Sequence, residues 1–221
     1  MKQPILITGI QRSGATIVTK ILGLAGAELG EVSQMQENIV LRKWMDSYYR
    51  TLNADVKGHY PLPEEVIVPK NTQVVLDLFS KSSAPFAYKD SRNGQVWKMW
   101  HSIFPNTKWV IVRRRTGDVV DSCLKTGYMT AYKNPKVLEK IGKTTAAEGW
   151  LWWVRKQEER YREMLLSGLD CRVVYPERIV EGDYFQMYEL VQLLGLQWHD
   201  SIIEQIDPMV MKTRNKIKKL C

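Results

Sequence analysis

Along most of the chain, short apolar runs with strand character alternate with longer stretches in which apolar residues return at helical spacing. The run PILIT at 4–8 predicts a buried strand closed by the turn at Gly9. Over 13–25, Ile17, Val18, Ile21, Leu22 and Ala25 form one face of a helix. A second helix fits 36–52, with Ile39, Val40, Lys43, Trp44 and Ser47 on one side. Residues 53–70 hold Gly58, Pro61, Pro63 and Pro69 and read as an irregular excursion, after which Asn71 is placed to cap a helix through Phe79. FAYKD at 86–90 predicts a strand, 95–104 a helix, and KWVIVR at 108–113, rich in β-branched and aromatic residues, the clearest strand of the chain. Helices follow over 118–127 and 144–166, the latter with Trp150, Trp153, Val154, Gln157, Tyr161 and Leu165 on a stripe that core packing explains better than base stacking. A strand over 171–176 and a helix over 184–196 complete the pattern.

Strands alternating with helices predict an α/β fold of three layers, α/β/α, with a central parallel sheet covered on both faces. In such folds the ligand sits beyond the carboxyl ends of the strands. A length of 221 residues supports a single domain over 1–221, with a basic tail from about 209 to 221. The first strand opens at Pro4, which leaves no room for a signal peptide, and no stretch is long and apolar enough for a membrane span. Cys123, Cys171 and Cys221 are scattered and odd in number, which suits reduced thiols and a cytoplasmic setting rather than disulfides or a zinc site.

The net charge of +8 favours a polyanionic ligand: a nucleotide, a nucleic acid or a membrane surface. Basic residues concentrate at Arg113, Arg114 and Arg115 and in the tail, where no acid follows Asp207.

The candidate chemistry lies at the predicted strand ends. Gly9 and Gly14 have the spacing of a phosphate-binding P-loop, but Ala15 stands where that motif has lysine. In such a loop, backbone N–H groups and a helix N-terminus converge on an anion. The hydroxyls of Ser13 and Thr16 add donors, and Arg12 supplies a cation from the loop itself. At the end of the clearest strand, alternation sets Arg113 and Arg115 on one side and Arg114 on the other. Asp118 is placed to cap the following helix, and Ser122 lies about one turn inside it, facing the strand end. Arg114 with Ser122 makes a compact second phosphate site.

These segments resemble the sulfotransferase family, which uses 3′-phosphoadenosine 5′-phosphosulfate on a P-loop NTPase-like fold. QRSGAT at 11–16 is similar to the family's 5′-phosphosulfate loop, P-[KR]-S-G-T-[TS], with Gln11 and Ala15 as departures. Arg114, followed eight residues later by Ser122, matches the 3′-phosphate motif. YKDSR at 88–92, with Ser91 where proline is common, and the later segment VVYPERIVEGDYFQMYELVQLLGL continue the likeness to about residue 196. The glycine-rich C-terminal loop of eukaryotic members is not visible, and the basic tail after Met211 is the candidate to serve the same phosphate.

The resemblance implies transfer of a sulfuryl group to a hydroxyl or amine of a small-molecule or glycan acceptor, with neither nucleic acid nor membrane as partner and no metal. It assigns Arg12 to the bridging and sulfate oxygens, Ser13, Gly14, Ala15 and Thr16 to the 5′-phosphate, and Arg114 and Ser122 to the 3′-phosphate. Glu37 occupies the place of a catalytic glutamate, with Glu31 and His59 as other candidate bases and Lys89 in reach of the sulfate. His101 and His199 read as structural. Two other classes stay in view. A P-loop nucleotide kinase or phosphotransferase needs the lysine that Ala15 replaces. A non-catalytic basic module binding nucleotides or nucleic acid leaves the pairing of Arg114 with Ser122 unexplained.

Overall fold

The computed structural model describes residues 3–62 and 67–206, so the basic tail, Cys221 and Pro63 lie outside the described residues. Four short strands, β1 (Ile5–Thr8), β2 (Ala87–Lys89), β3 (Lys108–Val112) and β4 (Cys171–Val174), form one sheet in the order β2-β1-β3-β4. All three pairings are parallel, with Ile7 opposite both Lys89 and Val110, and Val112 opposite Val174. Parallel neighbours require crossovers, and helices make each of them. The helices are α1 (Ala15–Leu24), α2 (Ile39–Thr51), α3 (Gln73–Lys81), α4 (Trp97–Ile103), α5 (Thr116–Lys125), α6 (Pro135–Lys140), α7 (Ala146–Leu166), α8 (Pro176–Glu181) and α9 (Phe185–Leu193), and residues 201–206 are also helical.

Side-chain alternation along the strands divides the core in two. Ile5, Ile7, Val110, Val112 and Val174 pack with Val18, Ile21 and Leu22 of α1, Ile179 of α8 and Val191 of α9. Leu6, Tyr88, Trp109 and Ile111 face Trp44 of α2, Phe79 of α3, Trp100 of α4 and Tyr161 of α7. The result is the expected three-layer α/β/α architecture with a central parallel sheet. A third cluster lies under the carboxyl end of the sheet, where Ile10, Val119 and Cys123 pack on Tyr132, Trp150 and Trp153 and bind α5 to α7. The tryptophans of the long helix are therefore core residues: Trp150 and Trp153 are each 1% exposed.

Several boundaries differ from the sequence reading. Helix α2 starts at Ile39, because Asn38 accepts from the Leu41 amide and caps it, and an antiparallel bridge between Val32 and Asn38 holds the preceding residues in a turn. Its buried face is Leu41, Trp44, Met45, Tyr48 and Tyr49, with Val40 exposed. The N-cap of α3 is Thr72, and the Asn71 carbonyl instead accepts from Trp44 Nε1. In α7 Met164 takes the buried position and Leu165 turns outward. The final strand stops at Val174 because Pro176 opens α8. Cys123 and Cys171 are free, and burial pushes their thiols up to about 12 and about 11. Among the described residues no helix is long and apolar enough to cross a membrane, and no cluster of three acidic, His or Cys side chains is arranged to hold a metal ion.

Candidate functional site

The connections from β1 and β3 leave in opposite directions, toward β2 and β4, so a crevice opens between their carboxyl ends. The loop after β1 is folded tightly against β3. A Cβ on Gly9 would stand 2.6 Å from Ser13 Oγ and 2.7 Å from the Val112 carbonyl, so only glycine fits there. The Ser13 amide donates to the Ile10 carbonyl at 2.9 Å, and Arg12 and Gly14 take left-handed φ values of 73° and 91°. Left-handed residues alternating with right-handed ones turn successive N–H groups into a concave anion nest. Helix α1 starts immediately afterwards, and its first amides have no acceptor within the helix. Ser13 Oγ is buried in this cradle with no hydrogen-bond partner among the described residues. An orphaned hydroxyl, a nest of amides and a helix N-terminus together form the donor set that fits a phosphate group.

Ala15 is buried in the apolar cluster beneath α1, so this position brings no cation to the loop.

The segment after β3 supplies the second part of the site. Arg113 turns to Glu158, with Nη2 2.7 Å from Oε2, and its guanidinium lies over the Tyr175 ring. Arg114 points to the first loop instead, donating from Nη1 to the Arg12 carbonyl at 3.2 Å. The Arg115 amide donates to Glu177 Oε1 at 2.8 Å. Arg113, Arg114, Arg115 and Thr116 line one wall of a cleft of about 380 Å³, and Tyr175 and Glu177 line the other. Helix α5 begins at Thr116 with Arg115 as its N-cap, so Asp118 lies in its first turn and is not its cap. Ser122, one turn further on, accepts from Arg12 Nε at 3.0 Å, and Arg12 Nη1 donates to the Tyr128 hydroxyl at 3.2 Å. Arg12, Arg114 and Ser122 thus stand together, and Tyr128, absent from the sequence reading, joins them. Its partner lies 116 residues away across an irregular turn, and no local pattern marks it.

The end of β2 carries the third part. Lys89 Nζ donates to Glu37 Oε1 and to the Met35 carbonyl, each at 3.0 Å. Thr16 Oγ1 approaches the same carbonyl at 3.4 Å, and Arg42 Nη1 lies 3.1 Å from Glu37 Oε2. Glu37 therefore sits in the turn before α2, beside the loop after β1, rather than in the first helical turn. Glu31 is exposed and supports that turn by accepting from the Ile39 amide. His59 is buried edge-on against Trp150, and burial holds its pKa below the ordinary histidine value. That environment suits a core histidine. His101 and His199 are exposed.

A buried polar frame fixes these parts in place. Arg92 grips both oxygens of Asp90 at 2.6–2.9 Å and Asp46 at 2.6 Å. Burial alone would push the Asp90 carboxyl up, but the Arg92 guanidinium and the Tyr88 hydroxyl hold it below the usual range. Three nearby carbonyls of the excursion are each held by a different side chain: Val56 by Arg92 at 2.7 Å, Lys57 by Gln11 at 3.0 Å and Gly58 by Gln95 at 2.9 Å. The start of the excursion is thereby tied to the loop after β1.

A family model described as the sulfotransferase family matches residues 4–200. No curated protein matches in sequence. Among solved structures, the chain is similar to sulfotransferase STF9 from Mycobacterium avium, with 10% identity, a TM-score of 0.61, and coverage of 96% of this chain and 68% of that one. It is similar to a sulfotransferase from Alicyclobacillus acidocaldarius, with 10% identity, a TM-score of 0.55, and coverage of 100% and 96% respectively. Sulfotransferase STF1 from Mycobacterium tuberculosis H37Rv shares 12% identity at a TM-score of 0.53, with 96% of this chain and 71% of that one covered. At these identities the structural likeness is one of fold.

Proposed function

The chain belongs to the sulfotransferase family and is a sulfotransferase, and on that premise we propose which of its residues hold the donor and move the proton. The donor is 3′-phosphoadenosine 5′-phosphosulfate, and the acceptor is a hydroxyl or amine of a small molecule or glycan. The observation that carries the assignment is the 3.0 Å bond from Arg12 to Ser122, which joins the two phosphate motifs in one crevice.

In this reading the amides of 14–16 and the orphaned Ser13 hydroxyl receive the 5′-phosphate. Arg114 and Ser122 take the 3′-phosphate, which separates this donor from ATP. When bound, the donor supplies the sulfuryl group, whose bond to the 5′-phosphate oxygen breaks, in line, as a bond to the acceptor oxygen or nitrogen forms. Arg12 presents a fork of donors to the charge that builds on the sulfuryl and leaving oxygens. Lys89 uses two of its three N–H donors on Met35 and Glu37, leaving the third for a sulfuryl oxygen. Glu37 accepts the acceptor's proton. Lys89 and Arg42 hold one carboxylate oxygen each, and each oxygen keeps a lone pair for the incoming hydroxyl. The free thiols at Cys123 and Cys171 support a reducing, cytoplasmic setting.

The test is turnover with labelled donor and a panel of hydroxyl and amine acceptors, read as product gaining one SO3 group. Wild type should transfer to at least one acceptor. Glu37→Gln should lose roughly 10²–10⁴ in kcat while still binding adenosine 3′,5′-bisphosphate. Full activity in Glu37→Gln would remove the base from this scheme.

A further inference from the structure

Tyr128 belongs to neither phosphate motif, yet its hydroxyl accepts from Arg12 Nη1 at 3.2 Å. The turn that carries it is tied back to α5. Thr126 Oγ1 donates to the Ser122 carbonyl at 2.6 Å, the Thr126 amide to the Cys123 carbonyl at 3.3 Å, and the Met129 amide to the Thr126 carbonyl at 3.0 Å. On its far side the turn is seated by Met129 and Tyr132, both buried in the cluster that holds Val119 and Cys123. Ser122 and Tyr128 therefore belong to one continuous, internally bonded piece of chain. That piece offers two hydroxyls to a single guanidinium.

Two contacts fix what one cannot. Held through Nε alone, a planar guanidinium can pivot about its bond to Ser122; the second contact, at Nη1, stops that pivot. The other end of the side chain is fixed by the backbone, because Arg12 is held at a left-handed φ of 73°. The two hydroxyls occupy two of the five N–H donors of the guanidinium. One donor on Nη1 and both on Nη2 have no protein partner among the described residues. A long side chain loses rotamer freedom when it is ordered. Ordering it before a ligand arrives removes that cost from the binding step.

We propose that Tyr128 is a positioning residue: its hydroxyl orients Arg12 so that the three remaining N–H donors form a preset group for the sulfuryl oxygens of the donor. The effect on the sulfuryl group rests on the transfer reading above, whereas the orienting of Arg12 does not.

The test uses Tyr128→Phe, which removes the hydroxyl from a ring that is 59% exposed and should leave Tm at the wild-type value. In the full chain with ¹⁵N-labelled arginine, Arg12→Lys identifies the Arg12 Nε–H signal by its loss. That signal should move in Tyr128→Phe without any ligand. Calorimetry then compares 3′-phosphoadenosine 5′-phosphosulfate with adenosine 3′,5′-bisphosphate, which lacks the sulfuryl group, so no acceptor is needed. Tyr128→Phe should lower the preference for the phosphosulfate by about 3–10-fold, the scale of one hydrogen bond. In an Arg12→Ala background the same substitution should change that preference no further, because the hydroxyl acts through the guanidinium. An unmoved Arg12 signal, an unchanged preference, or an equal loss in the Arg12→Ala background would overturn the inference. A moved signal in a protein that binds neither nucleotide would refute the transfer reading and leave the orienting of Arg12 standing.

Discussion

Arg12 Nε donates to Ser122 Oγ across 3.0 Å, so the loop after β1 and the helix after β3 meet through side chains 110 residues apart. The same guanidinium also reaches Tyr128. Replacing Arg12 by alanine should lower kcat by about 10²–10³-fold, the usual scale for removing a donor aimed at developing charge. Arg12→Lys should fall between, because a point charge cannot span two hydroxyls as a planar fork does. Steady-state transfer rates for the two variants check both expectations.

Arg114 is expected to decide which nucleotide binds. Charge-assisted hydrogen bonds contribute about 1.5–3 kcal/mol, so Arg114→Ala should weaken adenosine 3′,5′-bisphosphate by roughly 10–100-fold and adenosine 5′-phosphate little. Because Arg114 also braces the Arg12 carbonyl, the ratio of the two affinities is the informative quantity. Equal losses by calorimetry would assign Arg114 to loop support alone.

Gly14 has a φ of 91°, and a Cβ there would come within 3.0 Å of Pro176 Cβ. Gly14→Ala should therefore destabilise the fold by about 1–3 kcal/mol, a fall of roughly 2–4 °C in Tm for each kcal/mol at this size. It should also weaken bisphosphate binding, because relief of the strain reorients the loop amides.

The Asp90–Arg92 pair gives the fold an acid-sensitive element. Asp90 titrates below the ordinary carboxylate range in the folded state, so its contribution is present above the unfolded pKa and is lost as pH falls through the folded one. Glu148 behaves alike, its pKa brought down to about 2 by hydrogen bonds from Thr144 and Thr145 at the start of α7. Unfolding free energy should thus drop below about pH 4, and Asp90→Asn should flatten that drop in urea titrations. At pH 7 the same variant leaves Arg92 short of a charge partner and should cost about 3–5 kcal/mol.

What the sequence made visible follows from how local each signal was. The glycine spacing at Gly9 and Gly14 and the interval from Arg114 to Ser122 are short-range patterns at strand ends, and both led to the crevice. Pro135 and Pro176 open α6 and α8 as first-turn prolines, a local signal that could have revealed both helices. The buried Asp90–Arg92 frame was not legible in YKDSR, because it is completed by Asp46 and Val56, brought in by another segment. Glu37 was drawn into a helix by apolar spacing, whereas the Val32–Asn38 bridge, a tertiary feature, keeps it outside.

The central claim, that the crevice between β1 and β3 is built for a 3′-phosphorylated adenosine donor, is tested most directly by thermal stabilisation. Adenosine 3′,5′-bisphosphate at a hundredfold excess over its Kd should stabilise the protein by roughly 2.7 kcal/mol, with a much smaller effect from ATP–magnesium. No shift with the bisphosphate, or a larger one with ATP–magnesium, would contradict the account.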